Sequence, residues 1–266
     1  MLARSWLGAV AAVAMAAVCA AGSGSPAASA SVQVQHRSKV TKVTSPDWAG
    51  YAALAGKGRH FRYVAADFTI PNTECNTTDA PGAFAVAAQW IGLDGYGRNH
   101  GLAEQIGVSE SCGSAAVPHF QIWAWYRGAS GSGSFLLCTA GGCAGSPNPG
   151  DKVALSVYFT GKTYRLIYHD VSAKVLRKFY LRCAKCRNTN ASAEVINQVN
   201  SADDSVGYTV SFFGVRVTST TGRHGTVAPQ PRYWRTDQIF MADPAGTYTA
   251  VPSALLRQGR AFHVNV

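Results

Sequence analysis

The sequence has little charge and little of what builds helices. Only 14% of its 266 residues are Asp, Glu, Lys or Arg, and glutamate occurs four times. Gly, Val, Thr, Ser and aromatic residues dominate instead, a balance that suits strands and turns. No window sustains a 3.6-residue apolar period, and no internal repeat is present. Several catalytic signatures are also missing. There is no Gly-x-Ser-x-Gly elbow to lift a serine nucleophile onto a tight turn; 128–134 comes nearest without matching. There is no His-Glu-x-x-His, and none of the seven histidines forms an i, i+4 pair. No Gly-x4-Gly-Lys-Ser/Thr loop exists to cradle phosphate. Basic residues are scattered and carry no nucleic-acid motif, so no nucleic-acid partner is expected. Neither a cofactor nor a metal is expected.

Acidic residues are scarce relative to basic ones, 14 against 24, which leaves a formal net charge of +10. Such a surface suits contact with anionic cell-wall polymers or acidic polypeptides. The N-terminus reads as an export signal over residues 1–30. Arg4 precedes an apolar run over 6–21, and Ala28-Ser29-Ala30 supplies the small-x-small cleavage pattern. The run falls short of the ~20 residues that span a bilayer. A secreted, extracellular protein with no membrane attachment is therefore expected. Residues 31–44, polar, basic and without periodicity, read as a linker or short prosegment. Residues 45–266 form one domain of a size that all-β folds commonly leave undivided, expected to be a monomer.

Losing Cys19 with the signal leaves six cysteines, an even number suited to an oxidising compartment. Proximity suggests Cys138 with Cys143, Cys183 with Cys186, and Cys75 with Cys112, one of 15 pairings that six cysteines allow. The Cys183-x2-Cys186 spacing has no second ligand pair for zinc.

Strand-like runs then alternate with turn signals. Residues 84–93 are small and apolar and end at Asp94-Gly95. Residues 119–126 are aromatic and alternating. Between 131–134 and 146–150 a loop is expected to carry Cys138 and Cys143. Over 152–160, Val153, Leu155, Val157 and Phe159 fall on one face, and the Gly161-Lys162 turn leads into 164–168 as a hairpin. Runs at 175–181, 208–217 and 261–266 continue the style. Many short strands with Gly and Pro punctuation predict an all-β sandwich of two antiparallel sheets.

One constellation stands out. Trp90-Ile91-Gly92-Leu93-Asp94-Gly95 is followed by Gln105-Ile106-Gly107, then by the aromatic run 120–126. Asp47-Trp48-Ala49-Gly50-Tyr51 precedes it, Pro149-Gly150-Asp151 follows, and Gly259-x-x-Phe262-x-Val264 closes the chain. In order and spacing this resembles the glutamic peptidase (eqolisin) family, over essentially residues 45–266. The resemblance implies a concanavalin-like sandwich and peptide hydrolysis at acidic pH by a glutamine and a glutamate on its concave sheet. The carboxylate acts as general base toward a water, and the amide holds that water and stabilises the oxyanion. It further implies Gln105 as the catalytic amide, with Trp90 the aromatic wall beside it. Substrate-binding roles then fall to Trp90, Asp94, Trp123 and Gln198.

For the glutamate two alignments stand open. Counting from Cys186 brings Glu194 near the catalytic position. Matching Ser192-Ala193-Glu194 to the family's Ala-Glu pair puts Gln198 there, and an amide cannot act as a general base. Beyond Trp123 the chain carries Ala124-Trp125-Tyr126-Arg127 where the family commonly has an acid. Glu104, adjacent to Gln105 on a strand, should face the opposite side. The expectations are thus a peptidase using Gln105 and Glu194, or an inactive protein of the same fold. The inactive form would hold peptide or glycan in an aromatic groove of Trp90, Trp123, Trp125 and Tyr126.

Overall fold

A computed structural model describes residues 39–73, 85–97, 103–112, 118–128, 131–139, 147–182, 189–199 and 207–266. In chain order the strands are β1 (Thr41–Ser45), β2 (Trp48–Ala55), β3 (Phe61–Thr69), β4 (Ala85–Leu93), β5 (Ala103–Cys112) and β6 (Pro118–Gly128). β7 (Gly131–Thr139), β8 (Lys152–Phe159), β9 (Thr163–Asp170), β10 (Val175–Arg182) and β11 (Ser192–Val199) follow. The last are β12 (Thr209–Ser219), β13 (His224–Gly225), β14 (Trp234–Ala242), β15 (Tyr248–Pro252) and β16 (Phe262–Asn265). Pairing runs β10-β9-β8-β3-β12-β16-β15-β14-β2-β11-β4-β5-β6-β7, antiparallel throughout, with β1 added in parallel to β14.

All-β architecture and the strand placements at 152–159 and 163–170 agree with the sequence reading. The hydrogen-bonded ladder is continuous from β10 to β7. The short strand β15 pairs with β14 on one side and β16 on the other, with a register shift at Met241/Ala242 where the sheet turns. Two expectations change. The 131–134 segment belongs to strand β7, paired along β6, because its Ser and Gly lead directly into Phe135-Leu136-Leu137. The end of the expected linker is strand β1, since Thr41, Val43 and Thr44 are β-branched and find a ladder on β14. The expected pairings of Cys75, Cys143, Cys183 and Cys186 lie outside the described residues.

Period-2 alternation decides what is buried. On β4, β5 and β11 the inner side chains include Ile91, Leu93, Ile106, Val108, Ala193 and Val195. They share one core with Val153, Leu155 and Val157 of β8 and with Phe212 and Phe262. Tyr51 joins both halves, its ring 4.8 Å from Phe262 and its hydroxyl donating to the Ser253 carbonyl at 2.6 Å. Buried polar groups on this inner side pair with one another: Gln89 Nε2 and Tyr208 Oη both donate to Asn197 Oδ1, at 3.0 and 2.9 Å. Burying that many apolar side chains fixes register, because a one-residue slip would turn each strand's apolar set outward.

Candidate active site

The opposite, outer face of the same strands carries the candidate site. Its rows can be read from the register. Glu194 of β11 pairs with Gly92 of β4, Gly92 with Gln105 of β5, and Gln105 with Trp125 of β6. One step along lies the row Ile196, Trp90, Gly107, Trp123; the next holds Gln198, Ala88, Ser109, Gln121. Glu194 and Gln105 are thus two strands apart, roughly 10 Å between Cα atoms, with only a glycine between them.

That glycine leaves the space between them open. A Cβ built on Gly92 would lie 2.9 Å from Gln105 Cγ and 3.2 Å from Glu194 Oε2. Gln105 Cγ and Glu194 Oε2 therefore both border the space that a side chain at position 92 would fill. Gly107 serves the next row in the same way. A Cβ there would come within 2.7 Å of both the Trp123 ring and Trp90 Cβ, so the two side chains leave room for no more than a hydrogen.

Glu194 is fully buried, and neither carboxylate oxygen meets a hydrogen-bond donor among the described residues. Burial therefore pushes its carboxyl well above the usual range. The neighbouring Ser192 hydroxyl, which bonds the Tyr96 carbonyl at 3.3 Å, offsets this only in part, and the negative charges of Asp94 and Glu104 add to the rise. Gln105 is buried as well, at 7% exposure. Glu104 lies on the inner side, opposite Leu93 and Tyr126, so Tyr126 belongs to that side too and not to the outer groove.

Around this pair the other expected residues take distinct places. Trp90 is fully buried; its indole N–H donates to Gln198 Oε1 at 3.0 Å, and its ring meets Trp48 edge-on at 5.0 Å. Glu194 and Gln198 share the outer face, yet Gln198 sits four residues along β11, away from Gln105. Trp123 is half-buried on that face. Asp94 is wholly buried in a left-handed backbone conformation at φ 60°. Its carboxylate accepts the backbone N–H groups of Asn190 and Ala191, and its own N–H donates to the Ser192 carbonyl. In this place Asp94 clamps the start of β11 and thereby the position of Glu194.

Sequence reading missed three neighbours. Asp237 of β14 pairs with Ala52, which pairs with Glu194, so it extends the row of Gln105. It accepts the Tyr96 hydroxyl at 3.2 Å and pairs with Arg235 at 3.0 Å. The Tyr96 ring lies 6.5 Å from Trp48. Nothing local in the sequence marks Asp237, because only pairing through β2 brings β14 to the site. Trp48 carried a signal, the Asp-Trp-Ala-Gly-Tyr run. Among the described residues no group of three His, Cys, Asp or Glu side chains converges to hold a metal.

With this geometry in hand, comparison with known proteins is decisive on the family. The Peptidase A4 family model matches residues 46–229. The chain belongs to the Peptidase A4 family. Among solved structures it resembles scytalido-glutamic peptidase bound to a peptide-based transition state analog, with a TM-score of 0.59 and 14% identity over 83% of this chain and 98% of that one. It also resembles SCP-B, an eqolisin-family peptidase in complex with the tripeptide Ala-Ile-His, with a TM-score of 0.57 and 14% identity at the same coverage. Such low identity speaks for the fold alone. No curated protein sequence matches the chain. As a Peptidase A4 member it has a glutamic-peptidase-type, strand-built fold, and Gly92, Gln105 and Glu194 lie inside the matched segment.

Proposed function

We propose that this Peptidase A4 chain is a secreted endopeptidase that hydrolyses peptide bonds at acidic pH, using Gln105, Glu194 and an activated water. The observation that carries the reading is the convergence of the Gln105 and Glu194 side chains over Gly92. In this mechanism the ionised Glu194 carboxylate takes a proton from the water as it attacks the scissile carbonyl. The Gln105 amide N–H donates to the oxyanion as charge develops there. Glu194, now protonated, returns the proton to the leaving nitrogen. Because burial holds the Glu194 carboxyl above the ordinary range, its ionised fraction grows with pH across the acidic region. The optimum therefore moves toward the upper end of that region. The same reading makes the chain an exported monomer acting on polypeptide, with its cysteines in disulfides and the two halves of its continuous ladder packed face to face on the shared core. Unfolded casein incubated with the purified chain between pH 3 and 7 tests it. Gln105→Ala should lower the cleavage rate by about 10²–10³-fold, and cleavage that persists in both Gln105→Ala and Glu194→Gln would sink the assignment.

A second reading rests on two observations: Glu194 is wholly buried, and Gln198 is an amide holding the Trp90 indole. On it, the protein is an inactive scaffold that grips an extended peptide or glycan along Trp123 and Trp125. Purified chain that clears casein at acidic pH contradicts this reading; glycan-array binding without cleavage supports it.

A further inference from the structure

The other half of the sheet also has an outer face, and its side chains form a pattern that the peptidase reading does not use. Register aligns Tyr180 of β10, Arg165 of β9, Tyr158 of β8, Tyr63 of β3 and Thr218 of β12 in one row across five strands. The row is built as an aromatic and cationic ladder. The Arg165 guanidinium lies 5.5 Å from the centre of the Tyr158 ring, and Tyr158 meets Tyr63 at 6.3 Å, nearly perpendicular. Tyr180 is 60% exposed. Such rings present flat area at little entropic cost, and arginine over a ring keeps donors free for an anion.

At its β12 end the row opens into a cavity of about 440 Å³, which Tyr63 and Thr218 line together with Asp67, Arg216, His224 and Arg260. This volume lies within the range of small-ligand sites. A β-bulge between Phe213 and Arg216 breaks the register of β12 against β3 beside it, the kind of irregularity that re-aims side chains at binding sites. Charge on this face is one-sided. Arg165, Lys178, Arg182, Arg216 and Arg260 are exposed, whereas Asp67 is the one acid that the described residues of these five strands place there.

We infer that this face is a second binding surface, for an extended acidic polysaccharide, with sugar rings on the tyrosines, carboxylates on the arginines and one sugar seated in the cavity. The charge balance calls for an anionic partner. A sugar is favoured over a peptide because an extended peptide gains affinity by pairing with a sheet edge. Inward of the β10 edge the backbone groups of this face are paired on both sides, and only side chains are offered. The surface shares no residue with the Gln105 face, so it stands or falls independently of peptidase activity.

The test is titration of the purified chain with polygalacturonate, and in parallel with poly-glutamate of matched charge density, at low and high salt. Polygalacturonate is expected to bind the parent more tightly than poly-glutamate and to weaken as salt screens the arginines. Tyr180→Ala, a change at an exposed site that leaves net charge untouched, should weaken polygalacturonate binding by about 3- to 10-fold without moving Tm. Arg165→Ala should weaken both polymers. Equal affinity for the two polymers, or parental affinity in Tyr180→Ala, would overturn the proposal, because either reduces the face to a diffuse cation exchanger.

Discussion

Glu194 and Glu110 are both buried carboxyls of the same ladder, on opposite faces. Both have two oxygens without a hydrogen-bond donor among the described residues. Burial raises both, Glu110 to about 8 and Glu194 well above the ordinary range. Their surroundings differ. Glu110 points inward from β5, in register with Ala87 and Phe120. Nearby Tyr208 has given its hydroxyl to Asn197. Glu194 points outward, in one row with Gln105 and separated from it only by a glycine. A raised carboxyl alone therefore does not mark a reactive site; the facing group and the room between them do.

The largest expected separation of the two is in catalysis. Glu194→Gln should lower kcat on an unfolded protein substrate by about 10²–10⁴-fold, while Glu110→Gln keeps the parental rate. Comparable losses in both variants would erase the distinction. Next comes Gly92→Ala, which places a methyl between Gln105 and Glu194. Loss of their alignment should reduce kcat/KM by roughly 10²-fold, and an unchanged rate would show that the pair need not meet there.

A third effect lies in stability. Both carboxyls sit above their unfolded-state values, so the stability gained by burying them protonated is whole below about pH 4.3 and is lost as pH rises. For Glu110 the loss runs through about 8. Melting followed by circular dichroism should therefore give a lower Tm at pH 9 than at pH 4. Glu110→Gln should shrink the loss of unfolding free energy between pH 4 and pH 9, read by denaturant unfolding, by on the order of a few kcal/mol. A smaller effect is expected from Trp90→Phe, which keeps the ring but removes the donor to Gln198, at about 1 kcal/mol by denaturant unfolding. Smallest of all is Gln198→Glu, expected to leave the rate unchanged; a clear gain would move the base from position 194 to 198.

Much of this was legible from the chain itself. The strand style, the Trp90-to-Gly95 turn and Gln105 all announced themselves locally, and alternation correctly turned Glu104 away from Gln105. The strand over 131–139 was hidden because glycine and serine dominate its first half. Tyr126 was hidden too: in a run of aromatics, alternation says that half face each way but not which half. The ambiguity between Glu194 and Gln198 had a sharper cause. The two lie four residues apart, so a period of two puts both on one face and cannot choose between them.

By itself, then, the sequence determined an all-β chain, its family and the Trp90–Gln105 constellation, because these depend on residue order and short-range alternation. The tertiary structure decided that Glu194 lies in one row with Gln105, that only Gly92 stands between them, and that Asp237 and Tyr96 lie nearby. Those are matters of register between β11, β4, β5 and β14, strands brought together by burial of a common core and not by any local pattern.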